Sequence, residues 1–331
     1  MPIDIERARR ETPGCETVLH FNNAGSSLMP EGVLEAQIEH LQLEARLGGY
    51  ESADAASDKV ERAYAAAASL IGSSRDEIAI IENATRAWDM AFYSIPFKPG
   101  DRILTAKAEY ASNYIAYLQV AKKYGAQVEV VPNDEHGQLS IEHLQSMLDD
   151  RVRLIAITHV PTNGGLVNPA AEIGEVARQA GVLYLLDACQ SVGQLPVDVE
   201  EIGCDMLSTT GRKYLRGPRG TGFLYIRRSV LEQLEPVMLD LHAAQWTSRD
   251  TYTVRDDARR FENWETNYAA KIGLGVALDY ALDWGIDSIW ERVQRLAGQL
   301  RAGLSAIPGV TVRDIGKVQG GIVTFTIEGR D

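Results

Sequence analysis

Cysteine is scarce: three thiols, at positions 15, 189 and 204, stand in 331 residues, and no two are spaced as CxxC. So odd and scattered a set makes neither a disulfide framework nor a four-ligand zinc site, and it fits a reducing, cytoplasmic compartment. Long apolar runs are missing too, none approaching the roughly 20 residues that span a bilayer. The opening MPIDIERARRE is charged from the start and lacks the apolar core of a secretion signal. Positive charge is in deficit: 33 Lys and Arg against 46 Asp and Glu leave a formal net charge of −13. That balance argues against nucleic acid or an anionic membrane as a partner. Basic clusters such as Arg212, Arg216 and Arg219 therefore need a local explanation. Walker A, GxGxxG at the start of a βαβ unit, GxSxG and HExxH are all absent, as are internal repeats and low-complexity tracts.

What is present is enough apolar material, 45% of residues, for one large core and a smaller lobe. The first 20 residues predict a short helix and a turn at Pro13-Gly14. FNNAGSSLMP, residues 21–30, is a polar loop of small residues. Helices are expected at 31–47, broken by Gly48-Gly49-Tyr50, and at 54–71, closed by Gly72. Strands and helices then alternate as in a doubly wound α/β sheet. The strands are read at 77–81, 102–105, 127–131, 154–158, 182–186, 205–208 and 222–226, and the helices at 85–94, 112–124, 140–148 and 169–180. The link 209–221 is too short for a helical crossover, so the seventh strand should run antiparallel to its neighbours. Over 237–257 the pattern is lost and a mobile surface loop is expected. Helices at 268–284 and 288–307 follow, then short strands at 310–313 and 321–327. The division expected is an N-terminal segment, 1–20, a large domain, 21–240, and an interdomain loop with a smaller α+β lobe, 241–331.

The chemistry centres on DMLSTTGRKYLRGPRGTGFLYIR, residues 205–227. A lone lysine between two strands is ordinarily a solvated one. Around Lys213, however, stand hydroxyls, glycines and Arg212, a setting for an anionic ligand held by N–H groups and side-chain donors. Upstream, the run 182–186 delivers Asp187 at a strand end, where open parallel sheets place their ligands. A carboxylate there must find a cation or hydrogen bonds. An acid at one strand end and a lysine at the next are what pyridoxal phosphate needs: a Schiff-base lysine and a partner for the pyridinium nitrogen. Glu82-Asn83-Ala84-Thr85 joins a strand directly to a helix. The free N–H groups of Ala84 and Thr85 can hold a phosphate there, with the Thr85 hydroxyl adding a bond.

LLDACQSVG followed by STTGRKYLRGPRGTGFLY resembles the fold-type I, class V aminotransferases, the group of cysteine desulfurases, selenocysteine lyases, isopenicillin N epimerases and C–S lyases. The resemblance implies a mostly parallel seven-stranded sheet in a pyridoxal-phosphate domain, plus a smaller lobe that is incomplete here. It implies that Lys213 carries the cofactor and Asp187 pairs with its ring nitrogen. Gln190 reaches its phenolic oxygen, Thr210 and Arg212 meet its phosphate, and Tyr110 in AEYASNY covers its face. Arg212 stands where desulfurases usually have histidine, a departure that points towards the lyase and epimerase branch; Tyr110, where the covering ring is often histidine, fits a site that need not protonate a thiolate leaving group. The 21–30 loop borders the site, so Asn23, and Thr162 or Asn163 after the fourth strand, are the residues expected to face a substrate. Thr266 or Asn267, in WETN, is expected to complete the phosphate site across a homodimer. Neither Cys189, between Asp187 and Gln190, nor Cys204, before a buried strand, suits a persulfide carrier. In desulfurases that cysteine, like the arginine that clamps the substrate carboxylate, lies further towards the C-terminus. The expected activity is β-elimination from a small sulfur-bearing amino acid, with aminotransferase, epimerase or a non-catalytic binding protein as alternatives.

Overall fold

The computed structural model describes residues 3–330. The N-terminal part holds α1 (Ile5–Arg10), α2 (Glu31–Leu47), α3 (Gly49–Ala55) and α4 (Ser57–Ile71). The alternating region follows with β1 (Ile78–Ile81), α5 (Ala84–Phe92), β2 (Arg102–Thr105), α6 (Ala111–Tyr124), β3 (Gln127–Val130) and α7 (Ile141–Ser146). It continues with β4 (Val152–Thr158), α8 (Ala170–Ala180), β5 (Leu183–Asp187), α9 (Val199–Ile202), β6 (Met206–Thr210) and β7 (Gly222–Ile226). The chain then forms β8 (Ala244–Ser248), β9 (Thr251–Val254), α10 (Tyr268–Trp284), α11 (Ile286–Ser305), β10 (Val310–Val312) and β11 (Phe325–Ile327).

The seven strands β1 to β7 lie in the order β1-β7-β6-β5-β4-β2-β3. Strand β7 is antiparallel to both neighbours, as the short link before it requires, while the other pairings are parallel. Strands buried on both faces read as continuous apolar runs, because successive side chains point to opposite sides. Thus Ile155, Ile157, Tyr184 and Leu186 enter one core, and Leu154, Ala156, Leu183 and Leu185 enter the other. Register aligns Thr158 with Asp187, and Asp187 with Ser208, so the polar ends of β4, β5 and β6 meet at one edge. Gly222 permits the close approach of β7 there: a Cβ would lie 2.3 Å from the Thr209 carbonyl oxygen.

Two expectations are corrected. The stretch read as a mobile loop contains an antiparallel hairpin, β8 with β9, in which Trp246 pairs with Tyr252. Both its faces are largely exposed, so no alternation marked it. Helix α3 occupies residues read as a break: Gly48, at φ 96°, turns the chain before it re-forms a helix. Among the described residues, no helix is long and apolar enough to cross a membrane.

Candidate active site

The ends of β1, β2, β4, β5 and β6 open onto one cavity of about 570 Å³, solvent-facing mouth included. It is lined by Ala84, Thr85, Tyr110, Thr162, Asp187, Gln190, Thr210, Arg212 and Lys213, all singled out from the sequence. Asn83, Asn113, Thr158, Val160 and Cys189 complete the lining.

At one end lies the start of α5. Asn83 caps it, its side-chain oxygen accepting from the Arg86 N–H at 2.9 Å. The next N–H groups, of Ala84 and Thr85, belong to the first turn, which has no intrahelical acceptors for them and carries the positive end of the helix dipole. At the end of β5, Asp187 is 4% exposed. Its Oδ1 accepts from the Cys189 N–H at 3.0 Å and its Oδ2 from the Asn113 side chain at 2.9 Å. Both donors are neutral, so no cation balances this buried carboxylate among its hydrogen-bond partners.

Lys213, in the link after β6, is 9% exposed and makes no hydrogen bond or salt bridge to any described residue. An amine so placed lacks the partner that buried charge requires. Gln190 gives its Nε2–H to the Ala24 carbonyl at 3.1 Å, while its Oε1 is buried without a partner. An uncompensated carboxylate, an unpaired amine, an orphaned amide oxygen and a helix N-terminus each have a bonding demand that the protein's own groups do not meet. A pyridinium ring bearing an aldehyde, a phenolic oxygen and a phosphate answers all four.

Arg212 is turned towards the N-terminal loop. Its Nη1 donates to the Gly25 carbonyl, and its own carbonyl accepts from the Ser27 N–H at 2.9 Å. With Gln190 on Ala24, this makes residues 24–27 a wall of the site. The Thr210 hydroxyl donates to the Thr221 carbonyl at 3.3 Å. Asn163 and Thr266 do not line this cavity, and Asn23 lines a separate groove with Cys15 and Tyr214. Asn267 caps α10 by accepting from the Ala270 N–H at 2.9 Å.

Of the two thiols near the sheet edge, Cys204 is fully buried, and Cys189 lies against Asp187. Burial first, and then the Asp187 charge, push the Cys189 thiol well above its ordinary pKa; burial does the same for Cys204. His159 is buried with its Nδ1 unpartnered, and burial lowers its pKa to about 4, so it is neutral at pH 7. Sequence reading passed over Asn113 and Glu109, which sit four residues apart where α6 begins and meet the ends of β2, β4 and β5. Glu109 precedes the helix, so helical periodicity gives no signal for it; only Asn113, in the first turn of α6, lies on a helix face. Among the described residues no group of His, Cys, Asp and Glu could hold a metal ion.

Comparison with known proteins gives the same picture. Residues 19–331 match the family model described as aminotransferase class-V. A probable cysteine desulfurase of Methanothermobacter thermautotrophicus is 32% identical over 329 residues, which is 98% of this chain and 82% of that protein. One from Synechocystis sp. is 33% identical over 298 residues, 88% of this chain and 71% of that protein. The apo structure of cysteine desulfurase from Thermococcus onnurineus NA1 superposes with a TM-score of 0.92 at 27% identity, covering 100% of this chain and 84% of that one. The chain belongs to the aminotransferase class-V family and is a pyridoxal-phosphate-dependent enzyme of fold type I.

Proposed function

We propose that the enzyme is a C–S lyase that removes the sulfur group of a small amino acid by β-elimination. The observation that carries this reading is Lys213, a nine-tenths buried amine with no partner, at a cavity shared with the Asp187 carboxylate. When bound, pyridoxal phosphate supplies an electron-withdrawing ring that stabilises negative charge on the substrate Cα. Asp187, oriented by Asn113 and the Cys189 N–H, would keep the proton on the ring nitrogen. Ala84, Thr85 and Thr210 would hold the phosphate, with Arg212 adding charge. Tyr110, 41% exposed at the start of α6, would cover the ring face. Lys213 Nζ would take the Cα proton as general base, the C–S bond would break, and the sulfur would leave as a thiol. Hydrolysis of the three-carbon remainder would give pyruvate and ammonia.

A second reading, favoured by the names of the relatives, is cysteine desulfurization through a persulfide on the protein. It needs an ionised, accessible thiol. Burial raises the pKa of both thiols, the Asp187 charge raises that of Cys189 further, and Cys204 is fully buried. The two readings separate in one assay with cysteine and with a bulkier S-substituted cysteine sulfoxide. Pyruvate as the main product is expected. Alanine, with a persulfide on Cys189 or Cys204, would refute elimination. Transfer of the amino group to a keto acid would favour an aminotransferase, racemised substrate an epimerase, and no turnover of any amino acid a binding protein.

The assembly we propose is a two-fold dimer in which each protomer lends Thr266 or Asn267 to the other's phosphate site. In support, Thr266 does not line the cavity of its own chain, and α2 exposes Leu34, Ile38 and Leu41 at helical spacing. Sedimentation should show the dimer, and specific activity should fall on dilution below its dissociation constant. Full activity in a species that sediments as a monomer would rule it out.

A further inference from the structure

Glu109 is the acid that this reaction scheme leaves unused. It precedes the first residue of α6 by two positions and lies partly buried between the ends of β2 and β4. Its Oε1 accepts from the Tyr110 N–H at 2.7 Å, from Asn113 Nδ2 at 3.2 Å and from the Thr158 hydroxyl. Its Oε2 accepts from the Thr105 hydroxyl at 2.9 Å and the Tyr117 phenol at 3.3 Å. Every one of these donors is neutral. Asn113 Nδ2 also donates to Asp187, so a single amide nitrogen bridges two carboxyl groups. The titratable groups that face Glu109 are Asp187 from β5 and Tyr117 from α6, and among the described residues no cation pairs with it. Burial, and then the Asp187 charge, push its pKa up to about 7 against the pull of its donors.

We propose that Glu109 is a positioning residue coupled to the cofactor through Asn113 and Asp187: it holds the backbone of Tyr110, and it gives up its proton to the buffer when the cationic ring nitrogen docks at Asp187. This rests on the ring nitrogen lying at Asp187, and not on which bond the enzyme breaks. A positive charge arriving at Asp187 favours the ionised form of the neighbouring acid. Linkage makes the effect reciprocal, so ionised Glu109 strengthens cofactor binding by the same factor that cofactor binding favours its ionisation. The proton balance is one carboxyl proton lost to the buffer for each Glu109 that is neutral beforehand.

The test compares wild type with Glu109→Gln, whose amide carries the charge of the protonated acid and keeps an acceptor oxygen. The dissociation constant of pyridoxal phosphate is measured from pH 6 to pH 8 by protein fluorescence, with proton release followed in weak buffer. The cofactor's own titrations are common to both proteins and cancel in the ratio. That ratio, wild-type over variant affinity, should rise on the order of tenfold from pH 6 to pH 8. Wild type should also release more protons at pH 7. A merely structural role for Glu109 would lower affinity by the same factor at every pH, and a flat ratio overturns the proposal. Should the Gln variant not fold, isotope-edited infrared difference spectra of wild type with carboxyl-labelled glutamate take its place: a protonated glutamate band should be lost when the cofactor binds at pH 7, and an unchanged band overturns the coupling. Failure of wild type to bind the cofactor at all would instead overturn the site itself.

Discussion

The Lys213→Ala variant should fold, lose the visible absorption of covalently held pyridoxal phosphate, and lose turnover on the order of 10⁴-fold, the upper range for a general base. The size of the effect follows from the two tasks assigned to one amine: holding the cofactor and taking the Cα proton. No neighbour can replace it. The other nitrogen bases lining the cavity are the guanidinium of Arg212 and the amides of Asn83, Asn113 and Gln190, none of which is basic enough at neutral pH. The stability of the cofactor-free protein should move little or rise, because the substitution removes a buried amine that has no hydrogen bond or salt bridge to lose. Absorption spectra, turnover and a thermal melt of the cofactor-free protein decide it together. An unchanged spectrum in the variant would sink the assignment of Lys213.

Asp187→Asn should retain much of the cofactor and lose activity by about two orders of magnitude. The estimate takes about 3 kcal/mol for breaking a buried charge pair on one side, at about 1.4 kcal/mol per factor of ten. An amide cannot keep the ring nitrogen protonated as a carboxylate does, so negative charge on the substrate Cα is less well stabilised. Hydrogen bonding suffers too. Both Asp187 oxygens accept, one from Cys189 and the other from Asn113, and an amide NH₂ placed at either position would face a donor. Binding and turnover measured across a range of cofactor concentrations separate lost affinity from lost catalysis. Activity near wild type at saturating cofactor would make Asp187 a structural residue only.

The seven-stranded sheet was legible because its strands are largely buried on both faces and bounded by turn residues, so apolar runs and strand ends could be read directly. That placed Asp187 at the end of β5 and Lys213 just after β6, where β5 and β6 pair in parallel. Thr85 was readable for a similar reason, since Asn83 and Ala84 mark an abrupt passage from strand to helix. Asn113 and Glu109 were not: a polar residue in a helical segment gives no sign of its direction, and Glu109 lies in the loop before α6. In a helix side chains lean towards the N-terminus, and here that lean carries Asn113 back to Asp187. The wall made by residues 24–27 was visible only as a polar loop, because its ties to Gln190 and Arg212 span far-separated parts of the chain. The exposed β8–β9 hairpin escaped for want of an apolar face.

The strand order carries a consequence for how the molecule is made. Among the described residues, strand β1 pairs with no strand but β7, Ile78 lying opposite Tyr225, so an early segment of the chain waits for a late one. During synthesis the apolar run Ile78–Ile81 leaves the ribosome long before its hydrogen-bonding partner exists. Closing so long a loop costs little more free energy than closing a shorter one, since each doubling adds only about 0.6 kcal/mol. The burden falls on time: contacts distant in sequence form slowly, and an unpaired strand edge can recruit another chain in the interval. Strand β7 is thus the closing piece of the sheet, and a nascent chain that stalls before residue 222 carries a sticky edge that the finished enzyme never shows.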